Sequence, residues 1–227
     1  LLWKGESRAR HRRLISPAFH LDRLKGMIPA FTAGCRRKIE QWESAVDDDQ
    51  GAACEVDAWL EFQEMTGEII SRTAFGSSCE NGKRILELLK ELQLLAMEGM
   101  QNLYLPGFRF IPTTKNRRRR HLDRKITSML RDLVRAKADD MNREDDLLGL
   151  LLNDNSSSTK IDGMTVEEVI EECKVFYLAG HETTASLLTW TVVMLGIHQD
   201  WQRRAREEVL RICQRNEPDF DAITNPP

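Results

Sequence analysis

The sequence predicts a mainly α-helical protein. Three observations carry that expectation: apolar residues recur at spacings of three and four through most of the chain, no run reads as a β-strand, and residues 164–199 sustain one long helical pattern without a proline. With 41% hydrophobic and 30% charged residues, the 227-residue chain falls among folded globular proteins, not disordered ones. It contains no internal repeat and no Gly/Pro-rich hinge that would divide it firmly into domains.

In chain order, residues 5–20 (GESRARHRRLISPAFH) predict a short basic helix over 6–15 that Pro17 ends. Arg8, Arg10, Arg12 and Arg13, with His11, make it densely positive. Such a helix is either a solvated surface or an anion site, because the guanidinium fork suits carboxylate and phosphate. Residues 21–46 predict a long amphipathic helix. Its stripe is Leu21, Leu24, Ile28, Phe31, Cys35, Ile39 and Trp42, with Pro29 as a kink or boundary. The acidic run 47–49 reads as a solvated turn, since no ligand spacing supports calcium.

Two further amphipathic helices are expected over 56–75 and 81–100. Met97 and Met100 in the second suit a ligand site or, more commonly, fill gaps in a core. Residues 103–114 (LYLPGFRFIPTT) carry two prolines and read as an irregular crossing, whose Tyr104, Phe108 and Phe110 cover the core or touch a membrane surface. The helix over 115–137 begins KNRRRRHLDRK. Four successive arginines span every side of a turn, so most face solvent; attraction to anionic lipid headgroups is the sharper alternative. A short helix over 145–152 and a polar linker over 153–163 lead into the longest helix. A charged amphipathic helix follows over 200–213, with Trp201, Ala205, Val209 and Ile212 expected inside.

The stretch 164–199 opens with Thr165 as N-cap and Glu168 three residues on, the spacing of a capping box. Its centre, Ala179-Gly180-His181-Glu182-Thr183-Thr184, conflicts with helix propensity. Glycine in a helix interior costs roughly 1 kcal/mol relative to alanine, and threonine hydroxyls compete for backbone carbonyls. That pattern predicts a locally opened helix. Gly180 would let a flat ligand or a diatomic molecule approach, Thr183 would donate or relay a proton, and Glu182 would serve as the acid beside it. The plainer reading is a buried Thr-containing helix that satisfies its own carbonyls.

Other chemistries are excluded or demoted. His181-Glu182 starts like a zincin HExxH, but Ala185 stands where the second histidine is required. No GxSxG, GxGxxG or phosphate-binding loop occurs, and the five histidines have no ligand spacing. Net charge is −3, which gives no electrostatic ground for nucleic-acid binding. Five cysteines (Cys35, Cys54, Cys79, Cys173, Cys213) without a CxxC pair fit neither a disulfide framework nor a zinc ribbon, and suit a reducing compartment. Residues 175–197 are the one stretch long enough to span a membrane. They contain His181, Glu182 and four threonines, which assigns them to a protein core. The chain begins without Met and ends Asn225-Pro226-Pro227, so both ends read as cut.

The sequence CKVFYLAGHETTASLLTWTVVMLGIHQDWQRRAREEVL resembles the central oxygen-binding helix and the following helix of cytochrome P-450 monooxygenases. It looks like the plant enzymes of the clan that includes hormone- and terpenoid-modifying members. HRRLISPAFH and PGFRFIPTTKNRRRRHLDRKI agree in the same order, so the resemblance covers essentially the whole chain. It implies a partial cytochrome P-450 fold, from the early arginine helix through the oxygen-binding helix and the helix after it. Residues 1–227 would then be one partial domain, without the N-terminal anchor and the C-terminal haem-cysteine region.

The resemblance also implies a haem cofactor, dioxygen, a small lipophilic substrate and electrons from an NADPH-dependent reductase. The full-length family sits on the cytosolic face of the endoplasmic reticulum membrane. Carried over, Glu182 and Thr183 are the acid-alcohol pair that delivers protons, and Ala179, Gly180 and Thr183 line the groove beside haem and oxygen. Arg12 is the arginine of the family's Trp-x-x-x-Arg that holds a haem propionate. The tryptophan position is Arg8, a departure, and Trp3 is out of register. None of the five cysteines lies in a glycine-rich haem-ligand loop, so the iron ligand is missing from this chain, which on its own is expected not to turn over substrate. Alternatives are a non-catalytic helical protein that binds a partner or membrane surface through Arg117, Arg118, Arg119 and Arg120, and a non-haem helical enzyme using Glu182.

Overall fold

Among the described residues every regular element is helical. The computed structural model describes residues 6–48, 55–76, 79–101, 111, 113–139, 147–153, 164–214 and 216–224. In order these form α1 (Glu6–Ile15), a 3-10 turn (Ser16–Phe19), α2 (Leu21–Asp48), α3 (Ala58–Phe75), α4 (Cys79–Gln101), α5 (Thr114–Asp139), α6 (Leu147–Asn153), α7 (Val166–Ile197), α8 (Gln199–Cys213) and α9 (Phe220–Thr224). The chain divides into two compact units: residues 1–18 with 70–179, and residues 19–69 with 180–227.

The first unit has the larger core. Helix α5 contributes Leu122, Ile126, Leu130 and Val134, a strict four-residue spacing that lines one face. Ile85, Leu86, Leu88 and Leu89 of α4, Leu147, Leu148 and Leu151 of α6, and Val169, Ile170, Cys173 and Tyr177 of α7 pack into the same cluster. Each fully buried aliphatic side chain stabilises by about 1.5–3 kcal/mol relative to exposure. Phe75 and Tyr177 stack with centroids 4.1 Å apart and planes 4° from parallel. The buried Lys174 ammonium sits 2.8 Å from Asp123 and 2.7 Å from Glu171, tying α7 to α5. Burial pushes the Lys174 ammonium down, but these two carboxylates outweigh burial and hold it above its ordinary value.

The second unit has a smaller core of Phe62, Met65 and Ala185, flanked by Trp42, Ala58, Ile69 and Leu188. Trp42 meets Phe62 edge-on at 6.0 Å and donates its indole N–H to Glu61. Buried Lys38 lies 2.7 Å from the same carboxylate, so α2 and α3 are joined by a polar network beside the apolar one. Arg37 pairs with Glu68 at 2.6 Å, Arg36 with Glu217, and Lys25 lies over the Phe220 ring.

Several expectations change. Pro29 does not bound α2, which runs through it. The stripe of α2 is only partly covered: Leu24, Ile28 and Trp42 are half-buried, while Leu21, Phe31, Cys35 and Ile39 are exposed. Helix α3 begins at Ala58, later than apolar periodicity suggests, because Asp57 caps it by accepting from the Trp59 and Leu60 amides at 3.0 and 3.2 Å. In α8, Trp201, Ala205 and Val209 are exposed and Ile212 half-buried, contrary to the expected inward stripe; that face stays open in the second unit. The long helix ends at Ile197, and α8 starts after a break at His198 (φ −105°, ψ 79°). Met97 is exposed. Tyr104, Phe108, Phe110, Cys54, Asp49 and the linker 154–163 lie outside the described residues. No described helix is long and apolar enough to cross a membrane.

Gly34 lies where α2 and α3 approach closely. A Cβ there would lie 2.7 Å from Cγ1 and 2.9 Å from Cδ1 of Ile69. Gly34→Ala is therefore expected to lower stability by about 1–3 kcal/mol, despite alanine's better helix propensity. Urea denaturation measures this, and Gly34→Ala with Ile69→Val should recover part of the loss.

Candidate functional site

The first turn of α7 is built as the sequence suggests. The Thr165 amide donates to the Glu168 carboxylate at 2.8 Å, and the Glu168 amide donates to the Thr165 hydroxyl at 3.2 Å, closing a capping box. The same Glu168 carboxylate accepts from Arg10 of α1 at 2.5 Å and lies 3.3 Å from the His11 ring. Glu172, one turn on, lies 2.8 Å from the other His11 nitrogen. His11 is buried, at 3% exposure.

The basic face of α1 is therefore sorted. Arg10 and His11 turn in to carboxylates of α7, while Arg12 and Arg13 stay exposed. The two expectations for α1, a solvated surface and an anion site, divide along the helix: the anions met by Arg10 and His11 are the protein's own carboxylates. Sequence inspection read Glu168 only as a cap. The paired signal was present as an acidic VEEVIEE run at the start of α7 and a basic RARHRR run in α1.

Helix α7 continues unbroken through residues 179–184. The expected local opening is not seen: Gly180 and the threonines are accommodated inside a regular helix. What varies along this segment is the direction each residue faces. His181 and Ala185 are buried at 2% and 0% exposure, and Leu188 packs beside Ala185 against Phe62 and Met65 of α3. Ala179, Thr183 and Trp190 are exposed. At 100° per residue these three fall within about 40° of one another, on the side opposite Ala185. Glu182 and Gly180 are half-buried on the two flanks. The helix thus presents Ala179, the Thr183 hydroxyl and, two turns on, the Trp190 ring on one face, with a carboxylate at its edge.

A residue of α3 that sequence inspection passed over reaches this turn. The hydroxyl of buried Thr66 lies 3.1 Å from the His181 carbonyl oxygen. Nothing in the amphipathic pattern of α3 marks Thr66, because a buried threonine there looks like any small core residue.

The described cysteines offer no metal centre. Cys173 is buried in the core of the first unit, Cys35 is exposed in α2, and Cys213 is half-buried at the end of α8. No group of three or more His, Cys, Asp or Glu residues is placed to hold a metal ion among the described residues.

The sequence profile of the Cytochrome P450 family matches residues 1–227, the whole chain. This chain belongs to the cytochrome P450 family. It is 48% identical over 230 residues to cytochrome P450 CYP72A616 of Paris polyphylla, covering 98% of this chain and 44% of that protein. It is 43% identical to the 11-oxo-beta-amyrin 30-oxidase of Glycyrrhiza uralensis, covering 97% of this chain and 44% of that protein. For the 7-deoxyloganic acid hydroxylase of Catharanthus roseus the identity is 40%, over 98% of this chain and 44% of that protein. The chain thus spans less than half the length of these plant relatives. Among solved structures, the retinoic acid-bound cyanobacterial CYP120A1 superposes with a TM-score of 0.75 at 22% identity, covering 98% of this chain and 46% of that one. That likeness establishes a partial cytochrome P450 fold, running from the arginine-rich α1 through α7 to α8.

The contact of α1 with α7 in this cytochrome P450 chain has a pH signature. Burial pushes the Glu168 carboxyl up, but the Thr165 amide, the His11 ring, the Arg10 charge and the Thr165 hydroxyl outweigh it and hold the carboxyl below the usual range. A carboxyl lowered in the folded state stabilises fully above its unfolded value of about 4.3, and that stabilisation is lost as pH falls through the folded value. Urea midpoints followed from pH 6 down to pH 3 should therefore fall, and Glu168→Gln should make the fall shallower. An identical slope in the variant would show that Glu168 is not the titrating group.

Proposed function

We propose that this chain forms the oxygen-binding and proton-delivering part of a haem-thiolate monooxygenase, one that oxidises a small lipophilic molecule with electrons from an NADPH-dependent reductase. The observation that carries this reading is the open face of α7, where Ala179 and Thr183 are exposed beside Glu182 while His181 and Ala185 are buried. The residues suit a haem one by one: Ala179 and Gly180 have no bulk to keep a flat ring from α7, and in α1 Arg12 is exposed and carries a guanidinium of the kind that holds a propionate. Haem, when bound, supplies the iron at which dioxygen is reduced.

The chain's own residues hold and move protons. The Glu182 carboxyl gives a proton to the Thr183 hydroxyl, which passes its own proton outward from the open face; Glu182 is then reprotonated from solvent. The buried side of α7 keeps the turn from rotating while this happens. We assign the thiolate to sequence outside residues 1–227, since the described cysteines stand in helices and one of them is buried in the core. Residues 1–227 are accordingly read as part of one cytochrome P450 domain, inactive by themselves. In this reading the full-length protein works at the cytosolic face of the endoplasmic reticulum membrane.

The alternative, a membrane- or partner-binding helix acting through the arginines at 117–120, has less support. Arg118 is engaged by Glu91 through two contacts of 2.6 and 2.7 Å, which pairs one of its four surface charges with a carboxylate of the protein itself. Liposome sedimentation with the four arginines replaced by alanine separates the readings, since the monooxygenase reading expects little change.

In the full-length enzyme, Thr183→Ala and Glu182→Gln should each lower substrate turnover on the order of 10²-fold while the ferrous carbon-monoxide difference spectrum keeps its thiolate-type band. Undiminished turnover in both variants would remove the acid-alcohol assignment. Residues 1–227 mixed with haem should give no thiolate-type band.

A further inference from the structure

We infer that Thr66 of α3 positions the proton-delivering turn of α7 by donating its hydroxyl proton to the His181 carbonyl. The inference rests on the reading of Glu182 and Thr183 given above.

The Thr66 hydroxyl has three carbonyl oxygens around it: Phe62 at 2.8 Å, His181 at 3.1 Å and Gln63 at 3.5 Å. The contacts to Phe62 and Gln63 are local, of the kind a threonine makes to its own preceding turn. The His181 contact spans 115 residues of sequence and joins α3 to α7. Thr66 is only 4% exposed, so water does not compete for its proton. A carbonyl oxygen has two lone pairs. In α7 one is taken by the amide four residues on, and the Thr66 hydroxyl is placed for the other.

This bond falls where orientation matters. The peptide whose oxygen accepts it carries the Glu182 N–H at its other end. Thr183 follows two residues after His181, about 200° around the helix, and is exposed where His181 is buried. The surrounding contacts are apolar: Phe62 and Met65 against Ala185. Apolar contacts are non-directional and tolerate small rotations. The hydroxyl-carbonyl bond is directional and fixes the turn both along and around the α7 axis. Valine would fill the same volume as Thr66 without a donor, so that exchange separates the hydroxyl from the packing.

The experiment is residue-resolved amide hydrogen exchange on the full 227-residue chain, for the parent, Thr66→Val and Thr66→Ser. A neutral hydrogen bond contributes about 1 kcal/mol net, which corresponds to exchange about fivefold faster. Thr66→Val should show that acceleration at residues 182–186 and leave residues 169–177 at parental rates, while Thr66→Ser should restore parental exchange. Parental rates in Thr66→Val would overturn the inference. So would equal acceleration in Val and Ser, which would point to the methyl group, or uniform acceleration along α7, which would report general destabilisation. The parent chain supplies an independent measurement that needs no variant: the Thr66 hydroxyl proton should exchange slowly and show a through-bond coupling to the His181 carbonyl carbon. Coupling to the Phe62 carbonyl carbon alone would overturn the assignment. None of these readouts needs haem or turnover, so failure of the positioning role and failure of the proton-delivery role are distinguishable.

Discussion

The Glu168 carboxylate is asked to satisfy three neighbours: the amide that opens α7, the Arg10 guanidinium and the His11 ring. Helix α7 starts where that carboxylate can reach all of them. The capping bond sets its first residue, and the two side chains of α1 set which way its first turns face. From there the four-residue spacing of Val169, Cys173 and Tyr177 carries one buried stripe into the core of the first unit. Charge and apolar packing thus specify the same rotation. Such agreement between levels is what makes a sequence select one structure.

Most of the helices were legible because their cause is local. Periodic apolar residues, the Thr165 and Glu168 capping pair and the Pro17 stop are written within a few residues of where they act. Misplacements came from causes that are equally local but lie outside the apolar pattern. Asp57 moves the start of α3 by binding two amides, and a single non-helical residue, His198, separates α7 from α8. Burial was the least legible property. The stripes on α2 and α8 are as regular as those on α5, yet only α5 has elements packed along the whole of its apolar face. Periodicity identifies a face, and only the fold decides whether something covers it.

The candidate site was legible in kind and not in construction. The residues of the AGHETT turn stood out because they conflict with helix propensity, and the structure keeps that conflict while leaving the helix intact. The conformational cost of Gly180 and the two threonines is absorbed by packing on the other side of the helix, through Ala185, Phe62 and Met65. Arg8, at the family's tryptophan position, is the clearest departure in α1. It leaves Arg12 as the exposed arginine that the resemblance singles out, next to an Arg10 and a His11 already held by α7.

The unbroken course of α7 also constrains how this stretch can change over evolutionary time. Residues on its buried stripe and its open face differ in what substitutions they accept, but they share one count. Deleting or inserting a single residue between His181 and Ala185 would turn everything downstream by about 100°. Ala185 would then leave its place against Phe62 and Met65 while the His181 carbonyl stays beside Thr66. Point changes along this segment are filtered one position at a time. Changes in its length act on every downstream position together.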